Sequence, residues 1–229
     1  NVPSTQKGNS MGTAEQAAKI LFDTESVLFN PDEPFVFTSG RLSPVYIDCR
    51  RLISFPEARH ALMESGAKLL AEEVGLENID YVAGGETAGI PYAAFIAERL
   101  GKPMLYVRKQ PKGFGRMAQI EGHIEGKNPK VILVEDLQTD GGSKKVFIDA
   151  LREAECTVEH SFVVFHYGIY NKSRENMDAL GVTLHALTTW WDVLDYARQN
   201  KLFDPAKLYE VESFLNDPEG WQEQRKKEA

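Results

Sequence analysis

The sequence predicts an α/β fold in which helices flank a mostly parallel sheet. Short apolar segments alternate with amphipathic ones along most of the 229 residues, which is the pattern of repeated strand–helix–strand units. The run Val131–Val134 is apolar throughout, as expected for a central strand that is buried on both faces. Both observations favour a sheet with helices on its two sides over an all-helical or all-strand fold.

Hydrophobic spacing, helix caps and glycines give the individual elements in chain order. Apolar residues recur at helical spacing in 13–29, and Ser54 with Pro56 marks the start of a helix that Gly75 ends. The predicted helices are 13–29, 56–73, 89–100, 143–154 and 173–180, with further helices between residue 186 and about residue 214. The predicted strands are 35–38, 45–47, 81–83, 103–107, 131–134, 158–165 and 182–186.

The domain organisation follows from the unbroken alternation. No linker-like change in composition interrupts it, so residues 13–216 are expected to form a single domain, with 13–50 as an N-terminal appendage. Residues 1–12 lack an apolar core and are expected to be a flexible N-terminus rather than a signal peptide. Residues 217–229 are polar and are expected to form a frayed tail.

Composition excludes several classes of protein. The chain has 34 acidic against 26 basic residues, a net charge of -8, which disfavours a nucleic-acid-binding protein. No apolar run approaches the ~18 residues of a membrane helix, so no membrane partner is expected. Cys49 and Cys156 lie far apart in the sequence and are interpreted as buried thiols of a cytoplasmic protein.

An acid pair followed by a glycine turn is the sharpest motif. Glu135 and Asp136 follow the apolar run directly, and Thr139–Ser143 then turns into a predicted helix. Ligands of open α/β sheets bind at the carboxyl ends of strands, and a glycine turn before a helix offers N–H groups to a phosphate. Acids at that place suit ribose hydroxyls or a metal ion. The alternative is an ordinary turn with acidic caps.

A basic, glycine-containing loop is the second motif. Residues 101–120 contain no acid but include Lys102, Arg108, Lys109, Lys112 and Arg116. Beyond residue 110 only Phe114 and Met117 could anchor the loop to the core, so we expect a mobile cationic lid that closes over a diphosphate. The alternative is a solvated surface loop.

Four sequence blocks together resemble the orotate phosphoribosyltransferases, which are type I phosphoribosyltransferases. Ser39–Asp48 resembles their N-terminal substrate segment, Gly84–Pro91 their diphosphate loop, Tyr106–Gly122 their catalytic loop, and Glu135–Ser143 their motif for 5-phosphoribosyl diphosphate (PRPP). The blocks occur in the family order, and the similarity spans about residues 13–200. The resemblance implies a type I phosphoribosyltransferase-like parallel sheet, with residues 13–50 contributing to a small hood.

The resemblance also implies a reaction. Members of the family transfer ribose 5-phosphate from PRPP to orotate, giving orotidine 5′-monophosphate and diphosphate on the route to UMP. They use Mg²⁺ carried mainly by PRPP oxygens and water, so no residue here is expected to be a direct metal ligand. They are homodimers, and by this resemblance loop 109–122 would complete the neighbouring site.

The family's functional residues map onto this chain position by position. Those implied to be catalytic are Lys112, Glu135 and Asp136. Those implied to bind PRPP are Arg108, Lys109, Lys112, Glu135, Asp136, Thr139, Asp140, Gly141, Gly142 and Ser143. The diphosphate loop would be Glu86, Thr87, Ala88 and Gly89, and orotate would lie against Arg41, Tyr46 and Thr139.

The sequence departs from the family pattern in four places. Phe114 stands where a histidine is common, Thr38 where members often have a lysine, and Asp140 where a small or hydroxyl residue is usual. After Phe165, where members often carry an arginine for the orotate carboxylate, no arginine occurs until Arg174. Two alternatives therefore stay open. One is a phosphoribosyltransferase for another base, such as a purine, and the other is a non-catalytic regulator that binds PRPP.

Overall fold

The fold is α/β, as predicted. The computed structural model describes residues 11–37, 39–115 and 117–228, so most of the expected flexible segment 1–12 lies outside the described residues. A six-stranded sheet forms the centre, and its strands lie in the order 183–189, 157–166, 130–138, 81–85, 104–107 and 120–121. All neighbouring strands in it run parallel except 120–121, which is antiparallel to 104–107.

The elements have the following bounds. The strands are β1 Val27–Phe29, β2 Phe35–Val36, β3 Leu42–Ser43, β4 Val45–Ile47, β5 Tyr81–Gly85, β6 Met104–Val107, β7 Ile120–Glu121, β8 Lys130–Gln138, β9 Thr157–His166 and β10 Thr183–Thr189. The α-helices are α1 Thr13–Asp23, α2 Pro56–Glu73, α3 Gly89–Leu100, α4 Lys144–Glu153, α5 Asn171–Leu180, α6 Trp190–Gln199, α7 Pro205–Asn216 and α8 Pro218–Glu228, with 3-10 turns at Cys49–Ser54 and Leu76–Asn78.

Two hydrophobic cores lie on opposite faces of the sheet. Ile132 and Val134 of β8 pack into a core shared with α1, α2, α3, α6 and α7. Val131 and Leu133 alternate to the other face, where they pack with α4 and with Met177 of α5. Because β8 is buried on both sides, its four leading apolar residues form the continuous run seen in the sequence.

The first helix is shorter than predicted. It ends at Asp23, and residues 27–29 form strand β1, which pairs antiparallel with β4. The hydroxyl of Thr24 donates to the carbonyl of Ile20 at 2.8 Å, and Glu25 has a left-handed φ of 53°. Because that backbone conformation cannot continue an α-helix, the apolar residues after it enter a strand although their spacing also suits a helix.

The expectation of a frayed tail after residue 217 is wrong. Helix α8 covers Pro218–Glu228, and Trp221 is buried against Phe214 with ring centroids 5.5 Å apart. Arg225 lies over the Trp221 ring and donates to the carbonyl of Pro31 at 3.1 Å. One buried indole and this long-range hydrogen bond hold a helix whose other residues are nearly all polar.

Stability is expected to fall as the pH decreases from about 7.5 to 5.5. Burial, with a smaller effect of neighbouring His185, lowers the pKa of His160 from its usual 6.5, and burial also lowers the pKa of His166. The unfolded chain therefore binds these protons more tightly, so protonation below pH 6.5 favours unfolding. Thermal unfolding across this pH range measures the effect.

The matched variants are His160→Gln and His123→Gln. His160 and His185 are hydrogen-bonded at 3.1 Å, and His185 is in turn hydrogen-bonded to Glu73 at 2.6 Å. His123, in contrast, is exposed beside Glu125. The first substitution should make the dependence of the melting temperature on pH less steep, with His166 still contributing, and the second should leave it unchanged. A wild-type slope in His160→Gln would contradict this account.

Candidate active site

A cleft of about 420 Å³ opens at the carboxyl ends of β5 and β8. It is the place at which open α/β sheets bind ligands. The cleft joins the end of the N-terminal appendage, the loop after β5, the acid pair of β8 and the start of α4. Its lining consists of Tyr46, Ile47, Asp48, Cys49, Arg50, Gly85, Glu86, Thr87, Ala88, Gly89, Lys109, Glu135, Asp136, Leu137, Ser143 and Phe147.

The acid pair lies within strand β8, which extends four residues beyond the predicted end at Val134. The Nζ of Lys144 donates to Oε2 of Glu135. The side chain of Lys144 is 1% exposed and that of Glu135 is 12% exposed. An ion pair this buried holds the Glu135 carboxylate in one orientation.

Asp136 has a different environment. Its pKa is raised above the usual 3.8, mainly by burial and further by Glu135, while Arg50 acts in the opposite direction. The two adjacent carboxylates thus differ, since one is held by a buried cation and the other faces the cleft with a weaker preference for its charged form. Such separation of two neighbouring acids is typical of functional sites.

The loop after β5 approaches β8 closely. A Cβ on Gly89 would lie 2.5 Å from the Val134 carbonyl oxygen, and one on Gly84 would lie 2.8 Å from the Gly89 carbonyl oxygen. Glycine is therefore required at these positions for the loop to lie beside the acid pair.

The peptide bond between Glu86 and Thr87 of this loop is cis. The side chain of Glu86 accepts from the Lys109 N–H at 2.7 Å, which connects this loop to the basic loop.

Two cations of the basic loop are held away from the cleft. Arg108 and Lys112 both pair with Glu121, at 3.6 Å and 3.7 Å. Of the predicted loop cations that the structure describes, only Lys109 lines the cleft. The loop folds back on itself, because the Lys112 N–H donates to the Ala118 carbonyl at 2.8 Å. Arg116 lies outside the described residues.

Neither of the two apolar side chains that could have anchored this loop does so. Phe114 is fully exposed and Met117 is exposed, so neither side chain packs into the core. The ion pairs to Glu121 and the backbone hydrogen bonds hold the loop instead. These surface pairs are individually weak, about 0–1 kcal/mol each, which suits a segment that can change position.

Replacing Lys112 with alanine should lower kcat/KM on the order of a hundredfold, whereas Phe114→Ala should change it less than about twofold. The reason is that a loop cation can stabilise charge on a departing diphosphate, and a fully exposed phenylalanine cannot. Steady-state kinetics of both variants, with thermal melts as a folding control, compare them. Equal losses in the two variants would refute this ranking.

The remaining residues of the PRPP-like motif lie beside the cleft. Of the predicted set, Ser143 lines it, whereas Thr139, Asp140, Gly141 and Gly142 belong to the turn that leads to α4. The Asp140 carboxylate accepts from the Gly142 N–H at 2.9 Å, so it is directed into its own turn. That contact explains how an acid is accommodated in a turn that is suited to bind a phosphate.

A buried polar network fixes the base of that turn. Gln138, at the end of β8, donates to the Ser173 hydroxyl at 2.8 Å, and that hydroxyl contacts His166 Nε2 at 2.9 Å. Asn176 donates to the Asp140 carbonyl at 2.8 Å. Helix α5, which carries Ser173 and Asn176, therefore holds the 139–143 turn in place.

Of the three residues predicted to bind orotate, only one lines the cleft. Tyr46 lines the cleft, and its ring lies 5.6 Å from that of Phe35 and 6.4 Å from that of Phe37. Arg41 does not line the cleft, and its charge acts on Tyr170, where it opposes the rise in pKa that burial causes. The structure thus brings Tyr46, but not Arg41 or Thr139, to the cleft wall.

The sequence interpretation missed Lys144, which pairs with Glu135 of the cleft, and Arg50, which lines the cleft. Lys144 lies in phase with Phe147, Ile148 and Leu151 on the buried face of α4, so the helical spacing did contain a signal for its burial. Arg50 is the second residue of the 3-10 turn Cys49–Ser54 and lines the cleft, and no local pattern marks it.

The fold and the cleft define a phosphoribosyltransferase. A family model described as "Phosphoribosyl transferase domain" matches residues 57–194. A curated orotate phosphoribosyltransferase of Cereibacter sphaeroides is 54% identical over 213 residues, covering 93% of this chain and 91% of the relative. The chain belongs to the orotate phosphoribosyltransferase family.

Solved structures agree with this assignment. The orotate phosphoribosyltransferase of Aeropyrum pernix is 34% identical with a TM-score of 0.66, and the match covers 80% of this chain and 98% of that one. Leishmania donovani UMP synthase is 27% identical with a TM-score of 0.73, covering 90% of this chain and 42% of that longer one. Among the described residues, no helix is long and apolar enough to cross a membrane.

Proposed function

We propose that this protein transfers the 5-phosphoribosyl group from PRPP to orotate, giving orotidine 5′-monophosphate and diphosphate for pyrimidine synthesis. The observation that carries the proposal is one cleft in which the acid pair of β8, the glycine-bounded loop after β5 and Lys109 meet. The 54% identity to an orotate phosphoribosyltransferase supports orotate as the acceptor.

The chemistry requires charge stabilisation more than covalent work. As diphosphate departs, C1 of the ribose gains positive character, which a nearby carboxylate stabilises. Glu135, paired with buried Lys144, and Asp136 are proposed to bind the ribose hydroxyls and supply that negative field. The Thr139–Ser143 turn would receive the 5′-phosphate through backbone N–H groups at the start of α4.

The leaving group would lie on the other side of the cleft. Glu86, Thr87, Ala88 and Gly89 are proposed to shape the diphosphate position, with Lys109 adjacent. Arg108 and Lys112 would reach it when the loop closes and their pairs with Glu121 open. Tyr46 would border the acceptor ring, and Arg41 and Thr139 would approach it only with movement of their segments.

We also propose that Mg²⁺ takes part, bound mainly through PRPP oxygens and water. The cleft fits such an ion, because Asp48, Glu86 and Asp136 offer the hard oxygen donors that Mg²⁺ prefers. Among the described residues, no group of three His, Cys, Asp or Glu side chains is arranged to hold a metal. When bound, Mg²⁺ would neutralise charge on the diphosphate.

The assembly and location are further parts of the proposal. A homodimer, with loop 109–122 completing the neighbouring site, is supported by the exposure of Phe114 and Met117 in that loop. Cytoplasmic location is supported by Cys49, which is a buried thiol outside any disulfide. Light scattering with a loop-deleted variant tests the assembly.

The decisive experiment measures orotidine 5′-monophosphate formed from orotate and PRPP, with and without Mg²⁺. We expect Mg²⁺-dependent product from orotate and none from adenine, guanine or hypoxanthine. Product from a purine alone would assign a different base. Tight PRPP binding without any product would instead indicate a regulator that has kept the fold.

A further inference from the structure

Arg50 carries a guanidinium that has no partner in the described part of the chain. Its backbone N–H donates to Asp48 at 3.0 Å, but its side chain makes no hydrogen bond and no ion pair with any described residue. The adjacent Arg51 contrasts with it, since that side chain donates to the Thr24 carbonyl at 2.8 Å and pairs with Glu25 at 3.5 Å.

The backbone at Arg50 is firmly held. Cys49 and Leu52, on either side of it, are completely buried. The hydroxyl of buried Tyr92 donates to the Cys49 carbonyl. The 3-10 turn Cys49–Ser54 therefore holds the start of the Arg50 side chain at a fixed place on the cleft wall, and only the exposed end of the side chain is free to adjust.

The charge balance of the cleft explains why a free cation there matters. Among the described residues that line it, Asp48, Glu86, Glu135 and Asp136 are acidic, and only Arg50 and Lys109 are basic. Lys144 compensates Glu135, while Arg108 and Lys112 are occupied by Glu121. A polyanion entering with the loop in this position would meet Arg50 and Lys109 as its only cleft-lining cations in the described chain.

We propose that Arg50 is a substrate-binding residue that receives the diphosphate of PRPP, an inference that rests on the proposed function. Arg50 lines the same cleft as the 86–89 loop, and its charge acts on Asp136. A guanidinium can donate two parallel N–H bonds to phosphate oxygens, which an ammonium cannot. Arg50 thus serves as the resident cation for the leaving group before the basic loop closes.

The test compares Arg50→Gln, Arg50→Lys and the control Arg51→Gln. Calorimetry measures the binding of inorganic diphosphate with Mg²⁺, and steady-state kinetics give separate KM values for PRPP and orotate. Arg50→Gln should weaken diphosphate binding and raise the KM for PRPP about tenfold or more, with the KM for orotate within about twofold. Arg50→Lys should be intermediate, and Arg51→Gln should bind diphosphate as the wild type does.

Two results would overturn the inference. One is diphosphate binding in folded Arg50→Gln or Arg50→Lys that equals that of the wild type. The other is a rise in the KM for orotate with an unchanged KM for PRPP, which would place Arg50 at the base. If the wild type forms no orotidine 5′-monophosphate but binds diphosphate through Arg50, the proposed function fails and the assignment of Arg50 to diphosphate stands.

Discussion

Replacing Lys144 with methionine should destabilise the protein by about 3–5 kcal/mol and reduce kcat/KM on the order of a hundredfold at neutral pH. The substitution keeps the aliphatic volume at a site that is 1% exposed and removes the ammonium that pairs with Glu135. Glu135 would then remain a partly buried carboxylate without its cation. Burial of a carboxylate without a partner disfavours its charged form, which is the form proposed to act in the reaction.

That reasoning gives the variant a distinctive pH profile. The kcat/KM of Lys144→Met should depend on pH differently from that of the wild type, because the partly buried Glu135 carboxylate has lost its cation. Chemical denaturation and the pH dependence of kcat/KM measure the two effects. A defect caused only by loosened packing would lower activity equally at every pH.

Lys145 provides the matched control. It has the same side chain one residue along α4, but it is exposed and pairs with Asp149 on the surface. Lys145→Met should cost about 0–1 kcal/mol and leave the pH profile unchanged. If the two variants had the same stability and activity, the buried ion pair would have no role in holding Glu135.

The contrast between these two lysines shows what the sequence could and could not predict. The acid pair and its glycine turn were predictable because strand, turn and helix are contiguous, so their geometry is local. The burial of Lys144 was in principle readable from its phase with Phe147 and Leu151. Its pairing with Glu135 could not be predicted from the local sequence, because it depends on how α4 packs against the sheet.

Other features depended even more on long-range contacts. Arg50 reaches the cleft because the turn after β4 faces a strand more than 80 residues further along the chain. Helix α8 was predicted as a frayed tail because its only large apolar side chain is Trp221, and a single indole does not create an amphipathic pattern. The hydrophobic sheet and its covering helices, by contrast, follow from periodicity alone.

Replacing Gly89 with alanine is expected to cost about 1–3 kcal/mol of stability and at least a hundredfold in kcat/KM. The new methyl group would lie 2.5 Å from the Val134 carbonyl oxygen and 3.2 Å from the Cα of Glu135. Both of these atoms belong to the backbone of the central strand. No side-chain rotation can relieve the conflict, so the start of α3 must move away from β8.

The movement matters because both sides of that contact form the cleft. Gly89 closes the 86–89 loop, and Glu135 begins the acid pair, so separating them widens the distance between the proposed diphosphate and ribose positions. Activity should therefore fall more than stability does, since alignment of the reacting groups is sensitive to shifts of about 1 Å. Gly12→Ala is the control, because nothing lies within 4 Å of a Cβ there. Wild-type kcat/KM in folded Gly89→Ala would show that the close approach of α3 to β8 is not needed for the reaction.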